Sequence, residues 1–245
     1  MDRVEGLAFR KADLHVHTPK SLCYRELSVT LEQIVDAALS VGLEIMAITD
    51  HNTVEAIDDI RALARQKGLV ILPGVELSTR GGHVIALFEV DTPVANMQDF
   101  ISDVGLPPGA WGDGTVMTES GIEDVFQKIH ERGGVSIAAH IERWPSGFLE
   151  TNEPRRVKMS IHGNSYLSAL EITVPQNKSL WNTGQMRDYP RKHACVQGSD
   201  AHAPEEIGRR LVYIQMEPLN LAGLRSAFSD HQTKILFPEG LTSSE

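Results

Sequence analysis

Short apolar runs alternating with stretches of helical period constrain this chain more than any other feature of its sequence. β-branched or apolar runs recur at residues 13–16, 45–49, 69–72, 83–88, 135–139, 170–174 and 195–198, set off by Gly, Pro, Asn or Asp. That is the pattern of buried strands closed by turns, and it predicts seven of them. Between several runs the apolar residues fall three and four apart: Leu31, Ile34, Val35, Ala38 and Leu39; Ile57, Ile60, Leu63 and Ala64; Ile122, Val125, Phe126 and Ile129. Such spacing puts one apolar stripe on a helix, so these segments should lie outside a sheet. Ser28 or Thr30 offers an N-cap for the first helix, while Gly42, Gly68 and the Gly133–Gly134 pair offer helix ends.

Strand and helix therefore alternate, which favours a parallel sheet in an α/β fold. About seven βα units suit a closed or distorted TIM-like barrel better than an open sheet, and 245 residues with 41% hydrophobic content suffice for one such domain spanning 1–245. Residues 106–120, rich in Pro and Gly and carrying Trp111, read as a long loop able to cover a site. Residues 241–245 read as a small polar tail.

A formal charge of −10 argues against a protein held on nucleic acid or anionic lipid by a broad basic surface. Two cysteines, Cys23 and Cys195, and an N-terminal stretch (1–11) that is mostly polar, without the apolar core of a signal peptide, point to a reducing, cytoplasmic compartment. No apolar run approaches the roughly 20 residues that cross a bilayer.

Chemistry-bearing residues gather where the predicted strands end. Asp13, His15, His17, Asp50, His51, Glu76, His140, Asp200 and His202 all sit at or just beyond such ends, and in barrels that rim is where sites assemble. His15 and His17 alternate with Leu14 and Val16, so both imidazoles point to one side of an extended chain and can grip one cation; Asp200 and His202 repeat the device. Mixed imidazole and carboxylate donors suit zinc, manganese or iron, and this many exceed one tetrahedral site, so a bridging carboxylate such as Glu76 would join more than one ion. A Gly-x-Ser-x-Gly elbow and a GxxxxGK phosphate loop are both absent from the sequence.

The segments ADLHVHT (12–18), ITDHN (48–52), PGVE (73–76), AH (139–140) and GSDAH (198–202) together resemble the PHP (polymerase and histidinol phosphatase) family, over residues 11–216. The resemblance implies a distorted seven-stranded βα barrel with a trinuclear metal site at the C-terminal ends of its strands. It implies that His15, His17, Glu76 and Asp200 hold one ion, His51 and His140 with a residue near Cys23 a second, and Glu76, His83 and His202 a third. Cys23 stands where the family commonly has His or Asp, and no such residue occurs between Thr18 and Tyr24. A Cys23 thiolate would bind zinc or iron well, while a structural cysteine is the other reading. Asp13 and Asp50 should face away from the ions and orient imidazoles. His130, His162, His193 and His231 belong to surface or core.

The implied activity is hydrolysis of a phosphate ester by metal-activated hydroxide at two or three divalent ions, with Asp200 or His202 moving the proton of the leaving oxygen. Arg143, Arg209 and Arg210 are the best-placed phosphate contacts, with Lys20, Arg25 and Lys178 weaker. The substrate is then a nucleotide, an oligonucleotide end or a small phosphorylated metabolite. Two other classes remain: an amidohydrolase-like metal hydrolase, and a non-catalytic module whose metal site serves docking or stability.

Overall fold

In the computed structural model, residues 8–241 are described. The first seven residues of the N-terminal stretch, and all but the first residue of the polar tail at 241–245, lie outside them.

All seven predicted strands are present: β1 (Phe9–Val16), β2 (Ile45–Ile48), β3 (Val70–Thr79), β4 (Gly82–Leu87), β5 (Val135–Ala138), β6 (Ala169–Glu171) and β7 (Ala194–Val196). Two more, β8 (Val212–Gln215) and β9 (Ile235–Leu236), extend the sheet to the order β7-β6-β5-β4-β3-β2-β1-β8-β9. The predicted helices appear as α1 (Leu31–Ser40), α2 (Ile57–Lys67) and, after an unpredicted α3 (Val94–Asp103), α4 (Ile122–Glu131). Thr30 caps α1 in a full capping box with Gln33, and Gly68 ends α2 in the left-handed region at φ 80°. The stripes buried on α4 are Ile122, Val125, Phe126 and Ile129, as the spacing requires.

The expectation of a parallel sheet holds within β1–β3 and within β5–β7 and needs correcting elsewhere. β4 runs antiparallel to both β3 and β5, and β8 antiparallel to β1. β3 and β4 form a hairpin closed by Arg80 and Gly81, between the paired Thr79 and Gly82, and Gly81 (φ 115°) supplies the conformation that the turn needs. β3 is also longer than the run 69–72. Pro73 and Gly74, which read as a break, mark instead the point where β3 leaves β2, paired last at Ile48–Pro73, and takes up β4 at Gly74–Leu87.

Strands β2 and β5 are buried along their whole length, as befits a sheet covered on both faces. The sheet curls into a nearly closed barrel. The chain after β7 returns alongside the end of β1, where Val16 bridges Ala201, the His17 amide donates to the Ala201 carbonyl (3.0 Å) and the Asp200 amide to that of His15 (2.9 Å). This closure carries residues 200–202 to the end of β1.

Candidate metal centre

Because β4 is antiparallel, its first residues lie at the same rim as the last residues of its neighbours. His83, which opens its strand, thereby joins histidines that close theirs. Three of the four non-glycine residues with positive φ among the described residues stand on this rim: Asn52 (54°), His140 (30°) and Asp200 (51°). Such sparsely populated conformations cost of order 1–3 kcal/mol each and cluster at functional sites.

Glu76 is the centre, fully buried in β3. Its Oε2 lies 3.2 Å from His15 Nε2, 3.3 Å from His17 Nε2 and 3.1 Å from His51 Nδ1; its Oε1 lies 2.9 Å from both His83 Nδ1 and His140 Nε2. Asp200 Oδ1 lies 3.2 Å from His15 Nε2 and 3.0 Å from His17 Nε2, which are themselves 3.1 Å apart. On the outer side His202 Nε2 is 3.1 Å from the Cys23 Sγ, and the His17 and His202 rings stack with centroids 4.2 Å apart. All nine residues singled out as ligands thus lie in one contiguous cluster. The family resemblance paired His140 with Cys23 and His83 with His202; the short contacts here pair His83 with His140, through Glu76, and His202 with Cys23.

The donor set fits divalent ions. Ligand atoms about 2.0–2.1 Å from a tetrahedral ion stand roughly 3.3 Å from one another, close to the spacings found here. Donor atoms of three groups converge within 4.8 Å: His15, His17, Glu76 and Asp200; His51, Glu76 and His83; His17, His51 and His202. Glu76 Oε2 and His51 Nδ1 are buried without a hydrogen-bond partner despite being 3.1 Å apart, a costly arrangement for protein atoms alone and an ordinary one around a cation.

Protonation in the metal-free protein follows from this crowding. Burial would raise the Glu76 pKa, but His15, His51 and His83 hold it well below the usual carboxylate range. Asp200 is likewise pushed down, against its burial, by His15 and His17. Burial opposes a charge on His17, yet Asp200 and Glu76 raise its pKa to about 9, and His15 is also raised. Burial lowers His51 to about 3, and burial with the Glu76, Asp200 and Asp50 charges pushes the Cys23 thiol up to about 11.

Around the donors stands a supporting layer. Asp50 accepts from the Thr18 amide, the Thr18 hydroxyl and the Ser21 hydroxyl, all at 2.7 Å, and Ser21 Oγ lies 3.0 Å from His17 Nδ1, so Asp50 acts on an imidazole through Ser21. Asp13, expected to orient an imidazole, instead accepts from the Ser199 (3.0 Å) and Gly208 (2.9 Å) amides and so braces the chain that carries Asp200. The direct carboxylate partner is Glu171, unremarked in the sequence, whose Oε2 lies 2.9 Å from His15 Nδ1 and accepts from the His140 amide at 3.1 Å. It sits at the end of β6 inside an apolar run, where only a strand-end position marks it.

Of the arginines, Arg143 reaches the cluster and pairs with Asp200. Arg209 pairs with Glu206 at 2.9 Å, and Arg210 donates to the Ile172 carbonyl at 3.1 Å. Arg25 also binds Glu206, Lys20 pairs with Glu55 at 3.2 Å, and the Lys178 ammonium lies over the Phe237 ring. His162 and His193 are buried together with ring centroids 4.7 Å apart, away from the cluster; His130 is exposed and His231 half-buried. The loop at 106–120 does cover the rim: Asn52 Nδ2 donates to the Asp113 (2.7 Å) and Val116 (2.8 Å) carbonyls, and the Gly112 amide to that of His51 (3.0 Å).

A PHP domain match spans residues 13–147, more than half of the chain. The chain belongs to the PHP domain family. It is 34% identical to the 5'-3' exoribonuclease Rnm of Salmonella typhimurium over 269 aligned positions, covering 81% of this chain and 88% of that protein. An uncharacterized protein of Methanocaldococcus jannaschii is 31% identical over 138 residues, covering 53% of this chain and 67% of the relative. Among solved structures, the lesion-specific endonuclease PfuEndoQ from Pyrococcus furiosus superposes with a TM-score of 0.70 at 16% identity, over 93% of this chain. The chain spans 57% of that protein's length, and the likeness establishes the shared fold. Among the described residues no helix is long and apolar enough to cross a membrane.

Proposed function

We propose that this PHP protein is a metal-dependent phosphoesterase that hydrolyses phosphate esters at a nucleotide or oligonucleotide end, in the cytoplasm. The observation that carries the reading is the convergence of five imidazoles on Glu76 at about 3 Å, with Asp200 as close to two of them, a donor set that suits a cation. The exoribonuclease relative, matched over most of both chains, favours a nucleic-acid substrate over a small metabolite.

The residues divide into three ions: His15, His17, Glu76 and Asp200 for one; His51, Glu76, His83 and His140 for a second; His17 or His51 with His202 and Cys23 for a third. Zinc, manganese or iron suits this mixture. Bound there, such ions supply an activated water and neutralise charge on the phosphoryl oxygens. Arg143, held beside Asp200 and still partly open to solvent, offers its guanidinium to a phosphoryl oxygen. Asp200, confined between His15, His17 and Arg143, is fixed as an anion. His202 donates from Nδ1 to the Asp200 carbonyl at 2.9 Å and stands at the outer edge, so where no third ion occupies its Nε2, that nitrogen is the one free to carry a proton to the leaving oxygen.

The test is hydrolysis of an end-labelled oligoribonucleotide by protein reconstituted in turn with Mn, Zn and Fe, beside Glu76→Gln. The expected result is chelator-sensitive release of mononucleotides, lost at least a hundredfold in the variant. Absence of hydrolysis with every metal, or full activity in Glu76→Gln, would overturn the proposal.

A further inference from the structure

A cavity of about 670 Å³ adjoins the metal centre, within the 300–1,000 Å³ typical of small-molecule sites. Its floor is the β3–β4 hairpin, including His83, which lies 2.9 Å from Glu76 Oε1. One wall comes from the covering loop through Gly114, Thr115 and Met117; the other comes from the segment after His140 through Trp144 and its successors. The floor and both walls are held in place: Ser78 Oγ donates to the Gly114 carbonyl at 2.6 Å, and the His83 amide to the Ser146 carbonyl at 2.9 Å.

Two features of the lining select a ligand. Trp144 is 76% exposed and Met117 61% exposed. Large apolar side chains so open to water, on two loops that border one cavity, are surface that a ligand would cover. The charge is the second feature. The lining holds one basic residue, Arg80, already paired with Glu153 at 3.0 Å, and a further carboxylate, Glu150. A second phosphate would be repelled there, so the part of the substrate lying in the cavity is uncharged, flat and large enough to cover an indole.

On the reading that the centre cleaves phosphate esters of nucleotides, we propose that this cavity binds the nucleoside attached to the reacting phosphate, its base stacked on Trp144. Trp144 follows Arg143 directly, so the base platform and the phosphate contact are adjacent along the chain. Stacking on an indole tolerates every base, because each has a π face. The cavity accordingly confers preference for nucleotides over other phosphate esters without strong preference among bases.

The test is calorimetric titration of the metal-loaded protein with adenosine 5'-monophosphate, uridine 5'-monophosphate and inorganic phosphate, with tryptophan fluorescence recorded in parallel. Both nucleotides should bind more tightly than phosphate and quench the fluorescence. Trp144→Ala should weaken nucleotide binding roughly tenfold or more and abolish the quench, while leaving phosphate affinity unchanged. Trp144→Phe should restore most of the affinity. Trp111→Ala, which removes an exposed indole from outside the cavity, should bind nucleotides as the wild type does. Nucleotides binding no better than phosphate, or Trp144→Ala binding them normally, would overturn the assignment. Either result alongside hydrolysis of a base-free phosphate ester leaves the phosphoesterase reading standing, whereas a normal quench in a protein that hydrolyses no ester sinks that reading alone.

Discussion

Glu171 turns one carboxylate oxygen toward both His15 Nδ1 and the His140 amide, and so holds two candidate ligands from different strands in register. Supporting carboxylates of this kind set imidazole orientation and basicity, and Glu171→Ala is expected to cost roughly 10–100-fold in metal affinity. Competition against a chromophoric chelator measures it; an unchanged affinity would show that packing alone aligns the rings. Strand alternation made four of the candidate donors legible, His15 with His17 and Asp200 with His202; His51, Glu76 and His140 were marked by their strand-end positions, and Cys23 and His83 by the family resemblance alone. Glu171 was not legible, since a single acid within Leu170–Glu171–Ile172 carries no periodic signal. The same donors predict a proton count. The His17 pKa is raised to about 9 in the metal-free protein and that of His15 is raised as well, whereas that of His51 is lowered to about 3. A cation needs each ring deprotonated, so binding at pH 7 releases protons, and affinity rises with pH until His17 titrates at about 9. Each released proton tightens binding about tenfold per pH unit. Cys23, with its thiol pushed up to about 11, adds one proton if it ligates as thiolate. Calorimetry in buffers of different ionisation enthalpy counts them, and Cys23→Ser should release one fewer; an equal count would remove Cys23 from the ligand set.

The elements that place these residues were partly hidden for a definite reason. Apolar periodicity reports that a strand exists and not which way it runs, so β4 read as one more parallel strand, which would leave His83, a ligand implied by the resemblance, at its start and not at its end. The hairpin turn at Arg80–Gly81 held the missing information. The covering loop was legible as a loop from its Pro and Gly content, but its contacts with the site depend on Asn52, a tertiary partner. That loop lies close against the donors: a Cβ on Gly114 would stand 2.9 Å from His51 Cγ and Cδ2 and 3.0 Å from its Nδ1. Gly114→Ala must therefore displace either the loop or the imidazole. We expect it to lose the ion held beside His51, lowering the bound metal per chain and activity by tenfold or more with little effect on the thermal stability of the metal-free protein. Gly109→Ala, on the same loop but with nothing near its added Cβ, is the matched control. Elemental analysis of both variants checks the prediction, and equal metal content would mean that the loop yields freely.

For the molecule as a whole, the seven principal strands and most of the chemistry-bearing rim follow from local pattern, and the number of units favours a barrel, but the contacts that close it do not. β9, with two residues, is too short for any period; β8 is as long as β2, but no local pattern reports its antiparallel place beside β1; and the junction of β1 with the chain after β7 rests on a few backbone hydrogen bonds around Val16 and Ala201. What the cluster does for stability follows from where it sits. The apolar core fills the barrel and the helix layer, so folding does not depend on a cation as it does in a zinc finger. Nor does removing the metal leave uncompensated buried charge, because protonated His15 and His17 stand against Glu76 and Asp200. The metal-free protein should therefore remain cooperatively folded, with unchanged far- and near-ultraviolet circular dichroism. Bound metal adds stability only by mass action. An ion present at about a hundred times its Kd contributes about 2.7 kcal/mol, which for a domain of this size corresponds to roughly 5–10 °C in Tm. Scanning calorimetry with and without a chelator should show that loss as a single, shifted transition. A loss of near-ultraviolet signal on chelation would mean instead that the ions hold the rim strands together.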